Sequence, residues 1–228
     1  MSDYLLPYSM FQDVLFPRKE AQNSDGGDEL SLRRIVSFSP HANLFLKDVP
    51  LVVFDLETTG LDHRQDYIVE MGAQKIVGGQ VVGEFETMVD PERDMPEDAQ
   101  KVTGITPDML VGQPKIQEIL PKFFKFIEGS LLVAHNASFD MGFIRHHSSL
   151  LGIEFDWPSF CTLKLARELL PDLKRKNLDT LAEHYGLSFE SRHRSIGDVK
   201  VTVSVLQELM TQEGSHLKTW QDMEPYRV

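Results

Sequence analysis

The chain has 228 residues, 41% of them hydrophobic and 25% charged, which is ordinary for a globular protein, and no apolar run reaches the roughly 20 residues of a membrane-spanning helix. The first residues lack the basic start and apolar run of a secretory signal, and the single cysteine, Cys161, excludes an internal disulfide, so a cytoplasmic protein is expected. The net charge of −12 disfavours a broad basic grip on nucleic acid, although it permits an enzyme whose bound cations meet phosphate groups.

The chain divides by pattern into three parts. Residues 1–48 mix aromatic and charged residues without clear periodicity, and the sequence QNSDGGDE at 22–29 is typical of a flexible linker. We therefore predict a partly flexible N-terminal extension over 1–48, a folded domain over 49–212 and a C-terminal tail over 213–228. Trp220 in the tail is expected to pack back onto the domain.

The folded domain opens with strand patterns and continues with helix patterns. The run LVVFDLETTG from Leu51 is apolar and β-branched before it meets polar residues and glycine, which predicts a buried strand that ends in a turn. Runs 67–77 and 80–89 are separated by two glycines and predict a hairpin, and 131–134 predicts another strand. Apolar spacing and boundary residues predict helices over 96–102, 116–127, 138–151, 162–170, 178–185 and 197–210. Strands followed by alternating elements indicate an α/β layer fold.

Asp55 and Glu57 stand two residues apart at the end of the first predicted strand. Because the side chains of a strand alternate between its faces, both carboxylates are expected on one face. Adjacent like charges cost stability unless a proton or a cation offsets them, so this pair is a candidate metal site. The alternative is a pair of solvated acids that cap the turn TTGLD.

A second group of polar residues follows the strand at 131–134, in the sequence AHNASFD. His135 and Asn136 lie in the predicted loop. Ser138 is the expected N-cap of the next helix, and Asp140 falls in its first turn. Asp140 is a candidate metal ligand, or alternatively it only complements the positive helix start, an effect of about 0.3 to 1 kcal/mol. The loop residues have an alternative explanation as structural groups that satisfy backbone atoms.

The last strongly predicted helix is opened by the sequence HRSIGD. Ser195 stands three residues before Asp198, an arrangement that resembles a capping box and gives both residues a structural explanation. The functional interpretation places Asp198 on the first helical turn, pointing toward the carboxylates of the first strand. His193 then lies on the preceding loop, where a histidine can remove a proton from water near neutral pH; alternatively it is a solvent-facing residue.

Together, the four acidic residues and the histidine match one chemistry. Two divalent cations about 3.5 to 4 Å apart clamp a scissile phosphate, one activating the attacking water and the other stabilising the leaving oxygen. Carboxylates are the hard oxygen ligands that Mg²⁺ and Mn²⁺ prefer, and the lack of a cysteine or histidine cluster in the sequence disfavours zinc. The sequence therefore predicts a phosphodiester hydrolase with two Mg²⁺ or Mn²⁺ ions.

Four segments of the sequence stand in the order and with the intervals typical of a known family. They are FDLETTGL from Phe54, VTGIT at 102–106, HNASFD from His135 and HRSIGD from His193. Over about residues 50–210 the chain resembles the DEDD exonucleases, in the branch whose general base is histidine, and no motif position departs from the pattern. The resemblance is strongest to the proofreading exonuclease domain or epsilon-type subunit of bacterial replicative DNA polymerases.

This resemblance implies an RNase H-like α/β fold, with a mixed five-stranded sheet flanked by helices, and hydrolysis from the 3′ end of a strand. The implied general base is His193. The implied metal ligands, all carboxylates, are Asp55, Glu57, Asp140 and Asp198. The residues expected at the terminal nucleotide are Thr58 and Leu61. The implied lining of the substrate cleft is Ile105, Asn136 and Phe139. For Phe139 the alternative is a core position.

The resemblance also implies partners. The implied substrate is a single-stranded or frayed DNA 3′ end in proofreading or repair, and the implied partner is the catalytic subunit of a DNA polymerase. The sequence QDVLF at 12–16 resembles the short peptide by which bacterial polymerase components hold the sliding clamp, or alternatively docks its apolar residues on the domain. Two other functions remain open: a free-standing enzyme that trims RNA or degrades oligonucleotides, and a noncatalytic polymerase-associated module that binds nucleic acid.

A basic cluster is expected near the site. Lys174, Arg175 and Lys176 form one part of it, and Arg192 and Arg194 flank the predicted base. These cations are candidates to guide a nucleic acid strand toward the carboxylates. Alternatively they are solvated surface residues.

Overall fold

A computed structural model describes residues 34–228 and contains a central sheet whose faces are covered by helices. The strands are β1 (Arg34–Ser37), β2 (Leu51–Thr58), β3 (Ile68–Val77), β4 (Gln80–Met88), β5 (Leu131–Ala134), β6 (Ile153–Asp156) and β7 (Ser159–Cys161). The helices are α1 (Glu97–Thr103), α2 (Pro107–Leu110), α3 (Ile116–Ile127), α4 (Ser138–Leu150), α5 (Thr162–Leu169), α6 (Leu178–His184) and α7 (Ser195–Gln212). Short 3₁₀ turns lie at Leu46–Asp48 and Glu224–Tyr226. The expected α/β class is confirmed.

The central sheet has five strands in the order β4-β3-β2-β5-β7. β3 pairs antiparallel with β2 and β4, whereas β5 runs parallel to β2 and β7. The expected mixed five-stranded sheet flanked by helices is therefore confirmed. β1 pairs in parallel with β6 in a separate two-stranded sheet. Neither of these strands, nor β7, is evident from the sequence, because their three or four residues mix polar and apolar types, whereas the four residues of the predicted β5 are all apolar.

The two faces of the central sheet bury separate hydrophobic cores, because the side chains of each strand alternate. Val53 points to the face that is packed by α5, α6 and α7. Val52 and Phe54 point to the opposite face, which is packed by α3 and α4. The odd-numbered positions of β2 therefore face α7, and this alternation carries Asp55 and Glu57 to the α7 side of the sheet.

The segments on both sides of the predicted domain pack against each other and against the core. Trp220 is 5% exposed and joins the core on the α7 side, and the Arg227 guanidinium lies 4.1 Å from the centre of its ring. The backbone N–H of Trp220 donates to the backbone carbonyl oxygen of Leu44 at 2.8 Å. This bond joins the C-terminal tail to the residues that precede β2. The expected packing of Trp220 onto the domain is confirmed. The boundaries at residues 48 and 212 remain predictions.

Two sequence expectations concern the ends of the chain and its relation to membranes. The segment 12–16, with its expected clamp interaction, lies outside the described residues. Clamp binding therefore stays a prediction. Within residues 34–228, no helix has both the length and the apolar character that crossing a membrane requires.

Candidate active site

The first turn of α7 lies directly on the central sheet. Gly72 of β3 pairs in register with Asp55 of β2, and a Cβ atom on Gly72 would lie 2.7 Å from the backbone nitrogen of Ile196. Only the lack of a side chain at this glycine lets the helix backbone approach the sheet so closely. Asp198, in the first turn of α7, therefore meets the carboxylates that β2 presents on the same face.

Asp55, Glu57 and Asp198 form one carboxylate cluster. Each offers a carboxylate oxygen, and these oxygens all lie within 4.8 Å of one another. The Oδ1 atom of Asp198 is buried and has no hydrogen-bond partner among the described residues. A buried carboxylate oxygen without a donor is costly unless a proton or a cation satisfies it. Because oxygen ligands of this kind suit hard divalent cations, the cluster is an acidic metal-binding group.

Burial and mutual repulsion perturb the protonation of these carboxyl groups. Burial raises the pKa of Asp55 well above its usual value, and the charge of Asp140 is the next cause. Burial, followed by the charge of Asp198, raises the pKa of Glu57 to about 8. Burial also raises the pKa of Asp198, although the Arg192 guanidinium opposes this shift. A divalent cation would lower all of these pKa values, because it favours the charged form of each carboxyl group.

Asp140 stands beside this cluster and is tied to the same strand. It lies in the first turn of α4 and is 2% exposed. Its Oδ1 atom accepts a hydrogen bond of 3.2 Å from the backbone N–H of Leu56. Since Leu56 separates Asp55 from Glu57 in β2, this bond brings the start of α4 to the strand between the two acids. The structure thus collects all four predicted carboxylates at one end of β2.

The turn into α4 differs from the sequence expectation. Asn136 follows β5 with φ of 63°, a left-handed conformation that asparagine adopts more readily than most residues. The cap position is Ala137, already in helical conformation, and Ser138 is the first helical residue, so the predicted N-cap at Ser138 is wrong. The left-handed turn is the reason, because it directs the chain into the helix one residue earlier. His135 is held by Thr162, whose Oγ1 lies 3.0 Å from its Nδ1, and burial lowers the pKa of His135 to about 4.

Glu70 is not among the residues predicted from the sequence, yet it fixes the start of α7. It lies on β3 opposite Glu57, is 1% exposed, and its Oε1 accepts a hydrogen bond of 2.9 Å from Arg194 Nε. Its Oε2 accepts a hydrogen bond of 2.8 Å from the backbone N–H of Ser195. The predicted capping box at Ser195 is therefore wrong, because a carboxylate from the sheet caps the helix instead. The available signal is an acid inside the apolar run YIVEMGA, which burial tolerates only with a partner.

The loop before α7 carries His193 and is held by Arg192. His193 has φ of 60°. Arg192 donates from Nε and Nη2 to the two carboxylate oxygens of Asp179, at 2.7 and 3.0 Å, and from Nη1 to Oδ2 of Asp198. Its guanidinium carbon also lies 4.9 Å from the ring centre of Phe189. One oxygen of Asp198 is thus engaged by the arginine, and the other is the Oδ1 atom without a partner.

A cleft of about 770 Å³ opens at the carboxylate cluster. The predicted site residues that line it are Asp55, Glu57, Asn136, His193 and Asp198. Its other wall is formed by α5 and the loop that follows, and it contains the predicted basic residues Lys174, Arg175 and Lys176. The structure therefore brings the predicted base, three of the acids and four of the five predicted basic residues to one cavity, whereas Arg194 does not line it and pairs with Glu70.

The remaining predicted substrate residues have different surroundings. Thr58 is 8% exposed, and its hydroxyl donates to the backbone carbonyl two residues later at 2.6 Å. Leu61 is 86% exposed in the turn after β2. Ile105 is fully buried in a small separate core and does not line the cleft. Phe139 packs on Phe143, with ring centres 5.0 Å apart, which agrees with its alternative as a core residue.

Known proteins share this sequence pattern and this fold. Residues 52–206 match the RNase T family, described as exonuclease. A DNA polymerase III PolC-type of Clostridium perfringens is 45% identical over 160 residues, covering 70% of this chain and 11% of the polymerase. The DNA polymerase III subunit epsilon of Aquifex aeolicus is 38% identical over 174 residues, covering 74% of this chain and 86% of the subunit. The structure of exonuclease X in complex with 5′ overhanging duplex DNA has 28% identity and a TM-score of 0.64, covering 77% of this chain and 98% of that chain.

The fold and the carboxylate cluster define a nuclease with an RNase H-like fold and an acidic metal-binding group. The chain belongs to the RNase T exonuclease family, because the family match spans residues 52–206 and the epsilon relative is matched over most of its own length. It is therefore an exonuclease, a hydrolase of phosphodiesters. The expected resemblance to DEDD exonucleases of the epsilon and PolC type is confirmed. The chain spans only 11% of the length of the Clostridium polymerase.

Proposed function

We propose that the protein is a 3′-to-5′ exonuclease that releases nucleoside monophosphates from single-stranded or frayed DNA ends, in proofreading or repair. The observation that carries the proposal is the cluster of Asp55, Glu57 and Asp198, whose oxygens lie within 4.8 Å of one another in the cleft that His193 also lines. The replicative names of the PolC and epsilon relatives and the DNA in the exonuclease X complex support DNA as the substrate. A cytoplasmic location is part of the proposal.

Two divalent cations, Mg²⁺ or Mn²⁺, are the proposed cofactors. The four carboxylates that would hold them are those of Asp55, Glu57, Asp140 and Asp198. When bound, the cations polarise the scissile phosphate and neutralise the charge that develops on it. The buried Oδ1 atom of Asp198, which has no hydrogen-bond partner within residues 34–228, and the raised pKa of Glu57 both favour this assignment, because positive charge relieves each of them. A ligand set made only of carboxylates suits these hard ions.

The other side chains have separate proposed tasks. His193 removes the proton of the attacking water, from the loop that adjoins the carboxylates. The exposed side chain of Leu61 packs against the terminal base, an apolar contact that tolerates any base and favours an unpaired end. Thr58 shapes the turn that presents Leu61, through its hydrogen bond within that turn. Asn136 offers a side-chain amide at the cleft.

Nucleotide release from single-stranded DNA labelled at the 3′ or the 5′ end tests the proposal. We expect release of the 3′ label with Mg²⁺ or Mn²⁺ and none with EDTA. Asp55→Asn should remove detectable release, and His193→Gln should lower the rate by about 100-fold or more. Asp108→Asn and His216→Gln change exposed residues of the same types and should keep the wild-type rate. Release from the 5′ end, or full activity of Asp55→Asn, would contradict the proposal.

The alternative functions give different results with the same protein. A matched RNA strand that is degraded much faster than DNA would favour the RNA-trimming enzyme, since only the 2′-hydroxyl differs along the backbone. Binding of single strands without any release would favour a noncatalytic module. Association with a polymerase catalytic subunit is proposed from the epsilon relationship. For the clamp, alanine at Leu15 and Phe16 should abolish binding to immobilised clamp, and retained binding would exclude the motif at 12–16.

A further inference from the structure

The cleft has a basic part that the carboxylate chemistry does not use. We define the basic wall as the four cationic residues that line the cleft on α5 and the loop after it: Arg167, Lys174, Arg175 and Lys176. They share this cavity with the carboxylate cluster. The chain as a whole carries a net charge of −12, whereas this wall groups four positively charged residues. Such a local reversal of charge at an active-site cleft favours an anionic ligand.

Three members of the basic wall keep their charge available. Arg167, Lys174 and Arg175 are exposed, and the salt bridges formed within residues 34–228 involve none of them. The acid of the same loop, Asp172, lines a different cavity. Among the described residues, these three cations of the wall therefore face the cleft without a salt bridge.

The loop that carries the basic wall is anchored to the domain. Lys176 donates from Nζ to the backbone carbonyl of Leu173, and Leu173 packs against the core on the α7 side. Asn177 accepts a hydrogen bond of 3.2 Å from the backbone N–H of Thr180, which starts α6 directly after the loop. The backbone of Lys176 also lies near His135, which follows β5, and raises the pKa of that histidine against the larger effect of burial. These contacts hold Lys174 and Arg175 along the cleft.

We propose that the basic wall binds the phosphodiester backbone of the single strand on the 5′ side of the scissile phosphate. The proposal rests on the proposed exonuclease function, in which the scissile phosphate lies at the carboxylate end of the cleft. Guanidinium and ammonium groups are the usual partners of such phosphates, and their contacts position a strand without reading its sequence. A strand of several nucleotides, rather than a dinucleotide, is then the preferred substrate. The basic wall thus binds DNA locally, although the negative net charge of the protein repels DNA.

The double variant Lys174→Gln/Arg175→Gln tests the proposal by strand binding. Its matched control is Lys122→Gln/Lys125→Gln, which removes the same charge from the exposed side of α3, a helix on the opposite face of the sheet. Both are made in an Asp55→Asn background with Mg²⁺, so that the strand is not consumed, and binding of a labelled oligothymidylate is followed by fluorescence anisotropy. We expect the wall variant to raise the Kd about tenfold at low salt and to reduce the salt slope by about 1.4, since each of the two lost phosphate contacts contributes roughly 0.7. The control should bind like its parent.

A second measurement compares two substrates in the otherwise wild-type protein. Thymidine 5′-(4-nitrophenyl phosphate) is a phosphodiester without any upstream phosphate, so the wall has nothing to hold on it. The ratio of kcat/KM for the oligonucleotide to kcat/KM for this small diester should fall about tenfold in the wall variant, mainly through KM for the oligonucleotide. An unchanged ratio, or unchanged strand binding, would overturn the proposal. If the wild-type protein hydrolysed neither substrate, the proposed function would fail, and the anisotropy comparison would still decide the basic wall.

Discussion

The close approach of α7 to the sheet at Gly72 makes the carboxylate cluster sensitive to a single methyl group. In Gly72→Ala the new Cβ would lie 2.7 Å from both the Ile196 nitrogen and the Ser195 carbonyl carbon. These are backbone atoms of the helix start, which cannot rotate away as a side chain can. To restore an ordinary contact of 3.4 Å, the first turn of α7 must move by about 0.7 Å relative to the sheet. Asp198 lies in that turn, so it moves away from Asp55, the residue opposite Gly72 in register.

Gly72→Ala is expected to lower both activity and stability. A displacement of about 1 Å at a reacting centre costs on the order of 100-fold in rate, so kcat/KM should fall roughly 10- to 100-fold. Overpacking of this kind destabilises by about 1 to 3 kcal/mol, and the better strand propensity of alanine offsets up to about 1 kcal/mol of it. Rates are measured on single-stranded DNA, Mn²⁺ affinity by electron paramagnetic resonance, and stability by urea unfolding. Weaker Mn²⁺ binding should accompany the lower rate.

Gly83→Ala is the matched control, because it makes the same change in the same sheet. A Cβ on Gly83 of β4 would lie 3.4 Å from Phe126 Cε2, which is the far end of a side chain at ordinary contact distance. This variant should keep the wild-type rate and Mn²⁺ affinity. If Gly72→Ala also kept its Mn²⁺ affinity and its rate within about twofold, the close approach of α7 at Gly72 would not set the geometry of the cluster.

Three further substitutions test other contacts of the site. Glu70→Gln leaves the start of α7 without its charged cap, so the free energy of unfolding, measured in urea, should fall by about 2 to 4 kcal/mol. Glu86→Gln, which changes an exposed residue of β4, should alter it little. Equal effects of the two substitutions would contradict the capping role of Glu70. Arg192→Gln removes a cation that lowers the pKa of Asp198. Because bound Mg²⁺ would also supply positive charge to this carboxylate, the melting temperature of the variant should fall more in EDTA than with Mg²⁺. Equal falls under the two conditions would exclude this role of Arg192. Burial lowers the pKa of His147 to about 4, so this residue should cost no stability above pH 6.5 and about 3 kcal/mol at pH 4, because the unfolded state gains the proton first. His147→Gln should remove this part of the pH dependence of urea unfolding, and an unchanged curve would show that another group is responsible.

Long periodic segments were predictable from the sequence, whereas most short segments were not. The helix predicted over 116–127 is α3 (Ile116–Ile127), because a dozen residues with apolar spacing specify a helix and its buried face. The two-glycine hairpin likewise joins β3 and β4, with φ of 57° and 79° at Gly78 and Gly79. In contrast, β6, β7 and α2 have three or four residues each, and their conformation depends on neighbours that are distant in sequence.

Most residues of the candidate site could be predicted from the sequence, but the contacts between them could not. The order of the motifs pointed to the acids, the histidine and the family. Ile105 was expected at the cleft and is fully buried, because an apolar residue in a motif can serve the packing beneath a site as well as its surface. Arg192 was visible only as a cation near His193, whereas the structure gives it two acidic partners, Asp179 and Asp198.

By itself the sequence determined that Asp55 and Glu57 share one face of a strand, since the alternation of side chains is a local rule. Only the tertiary structure decided that this face is the one covered by α7, and that Glu70 rather than the helix's own residues caps α7. The hydrogen bond between Glu70 and Ser195 joins residues 125 positions apart. No local pattern contains such a contact, because it exists only after β3 and α7 have packed together.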